Sequence, residues 1–122
     1  MREIKFRVWH ADNNEMLGPF DLTQNPIYWA DKMRDGVLMQ YTGLQDADVR
    51  EIYEGDVTAV EIINGVKLNV PISFEGGSFN ISEIPRGYGF RSTSYPLGEL
   101  LESGYKIEVI GNIYENKELL EG

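Results

Sequence analysis

Six consecutive residues, Arg86-Gly87-Tyr88-Gly89-Phe90-Arg91, interleave two cations with two aromatic rings, and Tyr95 follows close behind. Guanidinium groups beside aromatic faces suit stacking on nucleic-acid bases, or a hot spot for a protein partner. The alternative is a loop whose rings fold back on the body of the protein and whose arginines pair with carboxylates. A second basic set, Arg2, Lys5 and Arg7 with Trp9 alongside, lies near the N-terminus. Its alternative is a solvated strand face.

Other constellations point away from catalysis. His10 is the one histidine, with Asp12 and Glu15 near it in sequence. Imidazole and carboxylate together can bind a metal or move a proton, but such sites usually draw on further His or Cys. The chain contains 1 His and 0 Cys, so His10 reads as a surface residue at a strand end. Glu54-Gly55-Asp56 offers paired carboxylates to a hard cation or to acid/base work. The structural reading gives Gly55 an unusual φ and lets Asp56 bond turn amides where a strand begins. Gly76-Gly77 and Gly87-Tyr88-Gly89 match neither a P-loop nor a dinucleotide fingerprint, and they read as turns. Ser92, Thr93 and Ser94 carry hydroxyls with no base assigned to them. The sequence therefore predicts no catalytic residues, no metal ligands and no cofactor site, and the chain reads as a non-enzyme.

Charge narrows the partners. The 122 residues include 20 Asp+Glu against 11 Lys+Arg, a formal net charge of -9. Nonspecific binding to a duplex needs a net basic surface, and an anionic membrane repels an acidic one. An acidic surface suits a basic partner and can even imitate nucleic acid. The lack of Cys excludes disulfides and Zn–thiolate sites and fits a reducing compartment. No apolar run reaches the ~18–20 residues of a membrane span, and no apolar h-region follows Met1-Arg2-Glu3-Ile4-Lys5. The expected location is the cytoplasm.

Residue spacing then predicts the elements that hold these groups. Alternation of Ile4, Phe6 and Val8 against Lys5, Arg7 and Trp9 predicts a strand, and residues 3–20 read as a hairpin around Asp12-Asn13-Asn14. Gly18-Pro19 confines the return strand to an edge or a bulge. Residues 21–35, with Pro26, Tyr28 and Trp29, read as a loop with one helical turn. Val37 to Thr42 suits a buried strand ended by Gly43. Asn64-Gly65 between two β-rich runs is a hairpin signal, and residues 56–82 read as a three-stranded meander. Pro71 places its strand at an edge or at a bulge. Leu97, Leu100 and Leu101 against Glu99 and Glu102 predict a short amphipathic helix over 97–103, ended by Gly104. A last strand spans 105–114, with a bulge at Gly111. The predicted fold is one mainly β domain over residues 1–122: a small antiparallel, SH3-like barrel or a strongly bent sheet, with one or two short helices.

Three segments carry a resemblance to a known family. They are Met1-Arg2-Glu3-Ile4-Lys5-Phe6-Arg7-Val8-Trp9; then Leu38-Met39-Gln40-Tyr41-Thr42-Gly43-Leu44, running through an Asp-rich turn into Glu51-Ile52-Tyr53-Glu54-Gly55-Asp56-Val57; and Glu108-Val109-Ile110-Gly111-Asn112-Ile113-Tyr114-Glu115-Asn116. In order and spacing they resemble the YopX family of small phage and prophage proteins. The chain departs from the family pattern at His10, at Ala47-Asp48-Val49 and at Lys117, all in turns or near the end. The resemblance implies a mainly β fold and a home in a phage genome; it implies no activity and carries over no functional residue. The expectation is an accessory protein that binds a host or phage protein, with Arg86, Tyr88, Phe90, Arg91 and Tyr95 as the candidate contact residues. A small nucleic-acid-binding module using the same loop is the alternative, and self-association is left open.

Overall fold

The structure, a computed structural model, describes residues 3–21, 23, 34–63 and 65–121. Arg2, Asn64 and most of the expected 21–35 loop, including Pro26, Tyr28 and Trp29, lie outside the described residues. The described residues contain nine strands, β1 (Lys5–His10), β2 (Glu15–Asp21), β3 (Val37–Gln45), β4 (Glu51–Tyr53), β5 (Asp56–Ile63), β6 (Val66–Glu75), β7 (Ser78–Ile81), β8 (Tyr95–Pro96) and β9 (Lys106–Asn112), and one helix, α1 (Leu97–Glu102), between β8 and β9. A 3-10 turn over Lys117–Leu120 follows. The strands form two antiparallel sheets, ordered β2-β1-β3-β4 and β8-β7-β6-β5-β9. The mainly β class holds, with open sheets in place of a closed barrel.

Local chemistry explains most of these elements. The β1–β2 hairpin turns through Asn14 at φ 52, a left-handed conformation that Asn tolerates. Gly18 and Pro19 lie on the edge strand β2, where the register slips between Phe6 and Val8. The β5-β6-β7 meander forms as expected. A bulge at the end of β9 pairs Val57 with Gly111 and Thr58 with Val109, leaving Ile110 as the extra residue.

Two expectations need correction. Gly43 does not end β3. At φ 85 it sits within a register slip between Tyr41 and Gln45, and the strand continues beyond it. The slip lets β3 pair with β1 through its first half and with β4 through its second. Pro71 is not on an edge strand, because β6 runs between β5 and β7. Its partner changes at the proline: β6 pairs with β5 up to Pro71 and with β7 from Ile72 onward. A residue without an N–H is tolerated where one ladder gives way to the other.

The core is built over the five-stranded sheet. Val60, Leu68, Val70, Ile72, Ile81 and Ile107 form one buried cluster with Leu97 and Leu100 of α1 and Ile52 of β4. Burial of Leu97 and Leu100 contributes about 1.5–3 kcal/mol each. An isolated helix of this length is unstable in water, so packing on the sheet is what holds α1. Glu99 and Glu102 stay exposed, and Gly104 at φ 89 follows the helix end, as the spacing predicted.

Candidate functional site

The Glu54-Gly55-Asp56 carboxylates belong to the fold. Gly55 has φ +87, and a Cβ there would lie 2.8 Å from Met39 Sδ. Asp56 is 2 % exposed. Its Oδ2 accepts the Tyr53 amide at 2.7 Å, and its Oδ1 accepts Arg7 Nη2 at 2.7 Å. Arg7 also donates to the Glu54 carbonyl at 3.3 Å, and its guanidinium lies 4.7 Å from the Tyr53 ring centroid. Burial pushes the Asp56 carboxyl above its usual range, against the pull of Arg7 and the Tyr53 amide. Burial also pushes the Tyr53 hydroxyl up to about 12. Arg7 and Asp56 lie on different sheets, so their pair ties the sheets together.

Asp46, which the sequence did not single out, makes a second tie. Its Oδ1 accepts the amides of Asp48 (2.9 Å) and Arg50 (2.8 Å), and its Oδ2 accepts that of Val109 on β9 (2.8 Å). Burial raises its pKa, but these amides and the Arg50 guanidinium outweigh it and leave the carboxyl below the usual range. Asp46 and Asp48 near Arg50 signal an Asx turn. The bond to Val109 crosses 63 positions and has no local signature. In the third segment, Asn112 Oδ1 accepts the Tyr114 and Glu115 amides, and Asn116 Oδ1 accepts the Asn112 amide. Asp46, Asp56 and Asn112 thus lie within or between the segments that carry the resemblance, and all three fasten backbone.

Of the basic set near the N-terminus, Lys5, Arg7 and Trp9 are engaged within the fold and do not form a solvated face. Lys5 pairs with Glu51 and lies 5.3 Å from the Tyr41 ring centroid, while Arg7 is held by Asp56. Trp9 is buried and stacks on Tyr114 at 5.7 Å. His10 is half-buried at the end of β1, opposite Glu15, rather than fully on the surface. Among the described residues, no group of three or more His, Cys, Asp or Glu is placed to hold a metal ion.

The Arg/aromatic loop divides into an inner and an outer set. The Ile84 amide donates to the Thr93 carbonyl at 2.9 Å and closes its base. The Tyr95 hydroxyl accepts the amides of Arg91 (3.0 Å) and Ser92 (3.2 Å). Phe90 packs against the core, with ring centroids 5.6 Å from Tyr95 and 5.8 Å from Tyr105. Phe90 and Tyr95 are therefore anchors. Arg86, Tyr88 and Arg91 are exposed, Tyr88 at 47 %. Lys5, Arg7, Arg50, Lys67 and Lys106 all pair with carboxylates; Arg86, Arg91 and Lys117 pair with none among the described residues. The expected inward fold of the rings holds for Phe90 and Tyr95, and the alternative pairing of the arginines is not seen.

Arg86 and Arg91 also line one cavity of about 340 Å³, with Phe90, Ser92 and Thr93. Tyr88 faces a separate groove of about 610 Å³, beside Lys67, Asn69 and Leu120. No helix among the described residues is long and apolar enough to cross a membrane.

A family model described as YopX protein matches residues 20–121. The match takes in the second and third segments and leaves residues 1–9 outside it. The chain is also similar to the crystal structure of protein EF1440 from Enterococcus faecalis, with 27% identity and a TM-score of 0.62 over 99% of this chain and 100% of that one. No curated protein matches the chain.

Proposed function

The chain belongs to the YopX family, and we propose that it is a non-enzymatic phage or prophage protein that binds a protein partner in the cytoplasm of the host bacterium. The contact surface is the outer side of the 85–94 loop: Arg86, Tyr88 and Arg91, held from beneath by Phe90 and Tyr95. The observation that carries this reading is that Arg86 and Arg91 pair with no carboxylate among the described residues, in a chain of net charge -9. A guanidinium left without a carboxylate in such an excess of acid is available to a partner without first breaking an ion pair. The phage setting follows from the family resemblance. The non-enzymatic reading is supported by the polar side chains of Asp46, Asp56 and Asn112, which are engaged in fastening backbone.

A protein partner is favoured over nucleic acid because Lys5 and Arg7 are engaged within the fold. Specific nucleic-acid sites commonly use more phosphate contacts than the loop's Arg86 and Arg91 supply, and a net acidic body repels a polyanion at long range. Fluorescence-anisotropy titration with mixed-sequence single- and double-stranded oligonucleotides, at two salt concentrations, is expected to show no binding near physiological salt. Saturable, salt-sensitive binding that disappears in an Arg86→Ala/Arg91→Ala variant would make the protein a nucleic-acid-binding module.

A further inference from the structure

The geometry points to an oxyanion site between Arg86 and Arg91 that takes a phosphate or carboxylate group presented by a peptide segment of the partner; this rests on the binding role of the 85–94 loop. Both arginines line the same cavity of about 340 Å³, and the hydroxyl-bearing Ser92 and Thr93 line it with them. Two guanidinium groups offer paired N–H donors in the planar arrangement that matches an oxyanion. The Ser92 oxygen accepts the Ser94 amide at 3.2 Å, which leaves the hydroxyl hydrogen free to donate. Phe90 supplies an apolar wall, and its packing against Tyr95 and Tyr105 holds the loop in place before any ligand arrives. The two bonds to the Tyr95 hydroxyl fix the backbone at Arg91 and Ser92. Such preorganisation reduces the ordering cost of binding.

The site also distinguishes its ligand from a nucleic-acid strand. A single phosphate monoester carries about -1.5 to -2 charge and is balanced by two arginines. A polyanion would extend beyond the cavity over a body of net charge -9. The same two arginines can neutralise two neighbouring carboxylates, so the peptide can be phosphorylated or simply acidic.

The test uses the full chain and three fluorescent peptides of one scaffold, bearing phosphoserine, Glu-Glu or Ser at its centre. Anisotropy titration at low salt is expected to show saturable binding of the phosphoserine or the Glu-Glu peptide, and of the phosphoserine peptide alone if the source is a phosphate. The Ser peptide is expected not to bind, and inorganic phosphate to compete. Binding is expected to weaken by about tenfold or more in an Arg86→Ala/Arg91→Ala variant, the scale for losing charge-assisted hydrogen bonds. A Lys117→Ala variant, which removes an exposed cation outside the loop, is expected to keep the binding. Failure of both charged peptides to bind, equal binding of the Ser peptide, or binding unchanged in the double variant would overturn the site. If a protein captured from host cells is nevertheless lost in that double variant, the loop's binding role stands and only the oxyanion chemistry falls.

Discussion

Asp56→Ala is expected to destabilise the protein by about 3 kcal/mol, because it leaves the Arg7 guanidinium buried without its counter-charge. Arg7 has only 14% of its side chain exposed and Asp56 only 2%. The substitution also orphans the Tyr53 amide. For a chain of this length the loss corresponds to a fall in Tm of about 10 °C. Arg7→Met introduced into the Asp56→Ala background is expected to cost little further or to recover stability, since the charge that lacked a partner is gone. Urea unfolding of the four proteins in this cycle measures the coupling. Strictly additive losses would show that the pair does not tie the sheets.

Asp46→Ala is expected to cost about 2 kcal/mol at neutral pH through three orphaned amides, chiefly that of Val109. The loss should depend on pH with a definite sign. The folded pKa of Asp46 lies below its ordinary value of 3.8. Its ionised form therefore stabilises the fold fully above about pH 4, and this contribution disappears as pH falls through the lower folded value. Asp56 works the other way: its pKa is raised on folding, so its ionisation costs stability as pH rises above 3.8. Asp56 is present in both proteins, so its own titration largely cancels in the difference; the Asp46 charge is only a minor contributor to its upward shift. Thermal melts from pH 7 down to pH 2 are expected to show the gap narrowing below about pH 4. A gap that stays constant to the lowest pH would contradict the assigned hydrogen bonds.

The elements were legible where their cause is local. Alternation from Ile4 to Trp9 marks β1, the β-rich runs on either side of Asn64-Gly65 mark β5 and β6, and the Leu97/Leu100 spacing marks α1. Legibility stops where the cause is distant. Arg7 reads as solvent-facing by period, but its partner Asp56 is 49 positions away. Trp9, on the same side of the strand, is covered by Tyr114. β4 has three residues, too few for a pattern, and exists because β3 continues past Gly43. Pro71 suggested an edge because the changeover from β5 to β7 depends on both neighbours. In the loop, composition singled out Arg86, Tyr88, Phe90, Arg91 and Tyr95 together. Only packing against Tyr105 and the amide bonds to the Tyr95 hydroxyl separate the anchors from the exposed residues.

The proposed binding role of the loop is tested most directly by affinity capture from cells of the proposed phage host, with the wild-type chain and the Arg86→Ala/Arg91→Ala variant compared at matched folding. Both substituted side chains are exposed and pair with no carboxylate among the described residues, so the variant is expected to melt as the wild type does. The predicted result is a protein captured by the wild type, insensitive to nuclease, weakened by salt and absent from the variant. Equal capture by both chains, or capture abolished by nuclease, would contradict it.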